Sequence, residues 1–337
     1  MSAKKRTGIN TTRDQWDYVL NPAAQAELAE LTELDPHVIP VAGDEEEYLR
    51  SLRGAQIIVS TWRAHKIDER VLEACPDLEL VVHAAGSVKG FVTAALQERG
   101  IPVCSAVHLN AQPVAEFTLG LILMALKQVF VHNRNLHDHG PDAWERPSPD
   151  APGGYYGSRV GLLGYGRITS LLLKLLESFE LEVFLNDPHL APEEVRALGA
   201  QPATVEEIMG SCEVVSLHHG NTPANRHMIN ESNLRLLQPG SHFINTSRGQ
   251  LVDEDALVAR LSTGEITAYL DVTYPEPPPP DHPFYSLPNC ILTPHIAGSR
   301  GREVHRMGDY AVREVRNWIT GRPLENQIDL RTVFERA

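Results

Sequence analysis

The sequence predicts an α/β protein of two domains, each built on a parallel sheet with helices on both faces. Three observations carry this. Short runs of Val, Ile and Leu alternate with helical stretches along most of the 337 residues. Repeated βα units of this kind bury their strands on both faces, which suits parallel pairing. The length accommodates two domains of ordinary size.

One unit stands out by its turn. Residues 159–163 read as a buried strand, and Gly164-Tyr165-Gly166 as a tight glycine turn. Residues 168–179 read as a helix with Ile168, Leu171, Leu172, Leu175, Leu176 and Phe179 on its apolar positions. Residues 181–186 form the next strand, with Asp187 at its end. Such a βαβ unit binds dinucleotides. Gly164 permits the turn, and Gly166 lets the backbone approach a pyrophosphate. The helix start, with Tyr165, Arg167 and Ile168, offers N–H donors and partial positive charge to that anion. Asp187 stands where an acid accepts bonds from a ribose hydroxyl. It would repel a 2′-phosphate, and Pro188-His189-Leu190 supplies no Arg or Lys to compensate, so NAD is expected over NADP. Thr169 replaces the third glycine of the pattern, and is expected to push the helix slightly outward.

Composition narrows the function classes. Hydrophobic residues at 42% and charged residues at 22% suit a soluble globular protein. A net charge of −14 argues against nucleic acid or an anionic membrane as partner. Cys75, Cys104, Cys212 and Cys290 form no CxxC pair, so neither a disulfide framework nor a metal site is expected, and a cytoplasmic location is. No signal peptide is visible at the start, and the longest apolar run, 119–126, is too short to span a bilayer.

In chain order, Asn21-Pro22 caps a helix over 22–34. A strand follows at 37–41, a helix at 44–52, a strand at 56–60, a helix at 68–74, a strand at 78–84, a helix at 90–99 and a strand at 101–105. The turn from Ala84 to Gly90 follows a strand and precedes a helix, so it is a candidate anion cradle. Residues 114–131 read as one helix, apolar nearly all round and therefore buried. Residues 132–158 read as irregular, with Trp144 as their apolar anchor. Beyond Asp187, helices are expected at 192–198, 204–210, 230–237 and 253–261, with strands at 213–217, 241–245, 266–270 and 290–292. A terminal helix spans 302–320.

Ligands of such sheets bind past the carboxyl ends of the strands. The polar residues there are His218 and His219, then Thr246, Ser247 and Arg248, then Asp271 with Glu276, then His295. Each alone has a plain structural reading: an ion pair of Arg248 with Asp253, a turn cap, a solvated charge, a satisfied histidine. Together they suit one reaction. Arg248 can hold a carboxylate bidentately. His295 can give or take a hydroxyl proton, and Glu276 can fix its tautomer. A nicotinamide would carry the hydride between a 2-oxo acid and a 2-hydroxy acid.

These motifs resemble the D-isomer-specific 2-hydroxyacid dehydrogenase family. The matching stretches are 161–168, 243–253, 270–277 and 292–298, with weaker ones at 110–116 and 321–326. The resemblance implies two Rossmann-like doubly wound domains. A nucleotide domain, 110–299, would be inserted in a substrate domain, 1–109 with 300–337. The active site would lie in the cleft, and a homodimer is expected. It further implies that Arg248 binds substrate, Glu276 assists, His295 is the acid–base and Asp271 contacts the nicotinamide end. The loop Ala85, Gly86, Ser87 and Val88 would bind the substrate carboxylate through N–H groups. Gly220 replaces a usual proline, Ser87 and Lys89 replace Gly and Asp, and His83 replaces the Arg of phosphoglycerate-using members. The last change makes 3-phosphoglycerate a less fitting substrate. Trp62 and Arg63 are candidates for lining the pocket.

Two other readings fit the same fold. One is an NAD(H)-sensing regulator or corepressor. The other is a dehydrogenase of a small anion such as formate or phosphite.

Overall fold

The structure, a computed structural model, describes residues 3–36, 44–144 and 153–333. The chain divides into two compact units, Met1–Ala111 with Ser299–Arg336, and Gln112–Gly298. The expected strand at 37–41 lies outside the described residues.

The first unit holds four parallel strands in sequential order: β1 (Thr7–Asn10), β2 (Ile57–Ser60), β3 (Leu80–His83) and β4 (Val103–Ser105). Each step moves one place in the same direction, and the last helix before each of β2, β3 and β4 lies on one face. There Tyr48, Leu52, Val71, Leu72 and Leu96 pack on Ile58, Val81 and Val103. The other face shows Ile9, Ile57, Val59, Leu80 and Val82. Trp16, Val19 and Leu28 cover it from helices Arg13–Val19 and Pro22–Leu31, with Met307, Tyr310 and Val315 from helix His305–Ile319. The C-terminal helix is therefore part of this unit's core. β1 escapes a reading of the sequence because Gly8 sits in its middle. A Cβ there would come within 2.6 Å of Leu52 Cδ2, so this glycine serves close helix packing and marks no turn.

The second unit is a seven-stranded parallel sheet: β5 (Arg159–Leu163), β6 (Glu182–Asn186), β7 (Gln201–Pro202), β8 (Val214–Leu217), β9 (His242–Asn245), β10 (Thr267–Leu270) and β11 (Cys290–Leu292). Their spatial order is β7-β6-β5-β8-β9-β10-β11, so the winding reverses between β5 and β8. The register aligns the strand ends. Leu163 pairs with Asn186 and Leu217, Asn245 with Leu217 and Leu270, and Leu270 with Leu292. Asp187, Gly164, His218, Thr246, Asp271 and Thr293 therefore emerge as a row.

The single helix expected at 114–131 is two. Helix Val107–Leu126 runs through Pro113, and Gln128 in the left-handed region (φ 51°) separates it from helix Val129–His139. The first has the length and apolarity to cross a bilayer, a test that core helices also pass. Its Ala115, Leu121, Ile122, Ala125 and Leu126 are buried against β5 and β8 residues.

Candidate active site

The glycine turn is built as the sequence requires. Gly164 has φ 100°, and a Cβ there would stand 2.6 Å from the His219 nitrogen, so only glycine lets the loop after β8 lie against it. Gly166 needs its glycine for neither reason. Its φ is −160°, and a Cβ would meet nothing within 4 Å. That open space lies at the start of helix Arg167–Leu176, whose first N–H groups have no intrahelical acceptor. An apposed pyrophosphate fits there. Tyr165 N–H donates to Asp187 Oδ2 at 2.7 Å and His189 N–H to Oδ1 at 2.8 Å. The carboxylate thus clamps the turn and keeps lone pairs for ribose hydroxyls. Arg167 and Ile168 open the helix. Thr169 is fully buried, and its hydroxyl donates to the Gly164 carbonyl at 2.7 Å, so the residue in place of the third glycine ties the helix to the turn.

The loops after β8 and β9 are tied in turn. The ring Nε2 of His218 shares a bond of 2.9 Å with Ser216 Oγ, and burial pushes its pKa down to about 4, so it is neutral. His219 is lowered by burial as well, with the Asp187 carboxylate opposing. Its Nε2 is buried with no hydrogen-bond partner among the described residues. Ser247 Oγ donates to the His219 carbonyl at 2.6 Å, and Thr246 shares a hydroxyl–hydroxyl bond of 3.0 Å with Thr118. Asn245 accepts Ser247 N–H and donates to the Arg248 carbonyl, both at 3.0 Å. Arg248 is thereby held with its side chain exposed.

Gly249 then decides what the Arg248 loop touches. A Cβ there would come within 2.5 Å of Tyr274 N and closer still to the Thr273 carbonyl. The Arg248 loop thus rests on the backbone of the loop carrying Glu276. Glu276 Oε1 accepts Thr273 N–H at 3.3 Å, and Oε2 bonds His295 Nδ1 at 2.9 Å. His295 itself has φ 53°. Asp271 holds it there. This carboxylate, 2% exposed, accepts Thr293 Oγ1–H at 2.6 Å, Ile296 N–H at 2.8 Å and Ala297 N–H at 2.9 Å. Its carbonyl accepts His295 N–H at 2.9 Å. The resemblance aims Asp271 at the nicotinamide end, and its contacts within the protein buckle the loop that presents His295. Gly249 and Thr118 were not singled out at all. Gly249 lies inside the 243–253 stretch and follows Arg248, which was the available signal.

In the first unit, Ala85, Gly86 and Val88 are buried and Ser87 is exposed. Ser105 Oγ bonds the carbonyls of Ala85 (3.1 Å) and Gly86 (2.6 Å). None of the four backbone N–H groups donates a hydrogen bond among the described residues. This loop therefore offers donors, as an anion cradle must.

Residues 119–297 match the sequence profile of the D-isomer specific 2-hydroxyacid dehydrogenase NAD-binding domain. The chain belongs to this family. It is 31% identical over 279 residues to a protein of Thermofilum pendens named glyoxylate reductase, covering 80% of each chain. It is 30% identical over 259 residues to a D-3-phosphoglycerate dehydrogenase of Mycobacterium bovis, covering 77% of this chain and 48% of that one. The chain spans about half the length of the curated relatives of that second name. The fold is shared with the D-mandelate dehydrogenase of Rhodotorula graminis: TM-score 0.80 at 20% identity, covering 97% and 98% of the two chains. As a member of the D-2-hydroxyacid dehydrogenase family, the chain carries an NAD-binding domain, and the Gly164–Gly166 turn with Asp187 lies within it.

Proposed function

We propose that this protein is an NAD-dependent oxidoreductase that interconverts a 2-oxo acid and a D-2-hydroxy acid. The observation that carries it is the bond of 2.9 Å between His295 Nδ1 and Glu276 Oε2, at the strand edge that also holds the glycine turn. With Glu276 accepting at Nδ1, Nε2 is the nitrogen left to exchange a proton with substrate. NADH supplies the hydride when bound. Arg248 grips the substrate carboxylate and polarises the adjacent carbonyl. In reduction His295 gives the new hydroxyl its proton; in oxidation it takes that proton away. Thr246, Ser247 and the 164–168 turn serve the cofactor, and Ala85–Val88 the carboxylate.

The substrate class is a small 2-oxo acid, supported by the relative named glyoxylate reductase. His83 speaks against a phosphorylated one. It is buried, its Nδ1 bonds Ser60 Oγ at 2.9 Å, and burial pushes its pKa down to about 3, so it provides no cation for a phosphate. Exposed apolar side chains support a homodimer: Val129 and Leu136 on helix Val129–His139, with Trp144 and Tyr156. Four unpaired, buried cysteines support a reducing, cytoplasmic setting. The test is NADH oxidation with a panel of 2-oxo acids that includes glyoxylate, hydroxypyruvate and phenylglyoxylate. Turnover of at least one supports the proposal. NADH binding without turnover would favour the sensor reading.

A further inference from the structure

A second carboxylate stands behind the Glu276 loop, unused in the reaction above. Glu254 opens helix Glu254–Leu261, and its Oε1 accepts Tyr274 N–H at 2.8 Å. The preceding residue, Thr273, donates its N–H to Glu276 at 3.3 Å. Gly249 presses on the same two residues. Thr273 and Tyr274 are thus gripped twice by the stretch that follows β9, once by packing and once by a hydrogen bond.

We propose that Glu254 is a positioning residue for the Glu276–His295 pair: it fixes the Glu276 loop through Tyr274 N–H, and its own charge alters the field at that pair. The inference rests on reading Glu276 and His295 as the acid–base machinery. The charged and titratable groups around Glu254 come from each element packed on it. Asp255 is on its own helix, Glu276 is on the loop after β10, and Cys290 is on β11. Tyr274 also belongs to that loop, with Arg226 5.8 Å over its ring. Burial first, and then the Asp255 and Glu276 charges, push the Glu254 carboxyl up to about 7 against the Tyr274 hydrogen bond. Below that pH the side chain is a neutral acceptor. Above it, the bond to Tyr274 becomes charge-assisted and a negative charge is added beside Glu276.

Glu254→Gln keeps an acceptor but cannot ionise, whereas Glu254→Ala loses both properties. The first readout needs no turnover: the ring Cε1–H resonance of His295 followed against pH by NMR. Its midpoint should lie at lower pH in Glu254→Gln than in the wild type, because only the wild type gains a negative charge beside Glu276 as pH rises. Identical curves would overturn the proposal. The second readout is kcat/KM against pH for 2-oxo acid reduction. The pH at which reduction fades should likewise move down in Glu254→Gln, and Glu254→Ala should lose about tenfold in kcat with NADH affinity unchanged. Wild-type kcat in Glu254→Ala would overturn the positioning role. A wild type that turns over no 2-oxo acid would sink the functional reading, while the NMR comparison still decides the case of Glu254.

Discussion

Gly249→Ala should disable the site without touching a catalytic side chain. The added Cβ would lie within 2.5 Å of Tyr274 N and closer to the Thr273 carbonyl, and both are backbone. Ordinary contact begins near 3.5 Å, so the two loops must part by roughly 1 Å. One loop carries Arg248 and the other Glu276, whose partner is His295 at 2.9 Å. A displacement of about 1 Å at reacting groups costs on the order of 100-fold in rate. Forcing one extra methyl into a packed contact costs ~1–3 kcal/mol of stability. The assay is steady-state reduction of the best 2-oxo acid with NADH, beside a thermal melt. The variant should melt lower, bind NADH normally and lose about two orders of magnitude in kcat/KM. Turnover within about threefold of wild type, which is only ~0.65 kcal/mol of barrier, would refute the claim that Gly249 sets the spacing of these loops.

Gly161→Ala is the control. Its Cβ would run into Ile208 and stand 3.2 Å from Cys212 Sγ, within β5 and short of the loops. Stability should fall by ~1–3 kcal/mol while kcat per folded molecule holds; an equal loss of kcat would contradict the separation of core from site. Asp187→Ser should narrow the preference for NAD over NADP, because the carboxylate that repels a 2′-phosphate is gone. A wild type that favours NADP would sink the role given to Asp187. Burial holds His83, His218 and His242 at about 3, 4 and 4. Their folded values lie below the unfolded value of 6.5, so their contribution is fully present above pH 6.5 and is lost as pH falls toward 4. Each contributes a slope of ~1.4 kcal/mol per pH unit in that window. Proton uptake on unfolding, measured by calorimetry at pH 5, should therefore drop by about one proton in His242→Asn. No change would mean His242 is charged in the folded state.

Most of the sheet was legible because its strands are runs of Val, Ile, Leu and Phe with clear caps between them. Asp44, Asp68, Thr204 and Asp253 each accept a first-turn N–H of the helix they precede. The failures have local causes. Gly8 mimics a turn signal, and Pro113 mimics a helix start although the helix begins at Val107. Arg248, Glu276 and His295 could be placed at strand ends from sequence alone, since parallel order brings such ends together. How they are held could not. Asp271 grips residues 293–297, and Gly249 meets residues 273–274, across more than twenty positions of chain. Neither contact leaves a periodicity or a spacing to read. Glu254 was hidden for the same reason: in sequence it is one more acid in the first turn of a helix.

In the proposed reaction His295, oriented by Glu276, carries the proton of a 2-oxo acid reduction. The most direct test is the rate of NADH oxidation with the preferred 2-oxo acid in wild type and in His295→Asn, with NADH affinity measured alongside by fluorescence. Removing a general acid–base costs about 10²–10⁴-fold. A loss of that order is expected in His295→Asn across the pH range, with NADH affinity unchanged. A variant that keeps wild-type turnover would contradict it.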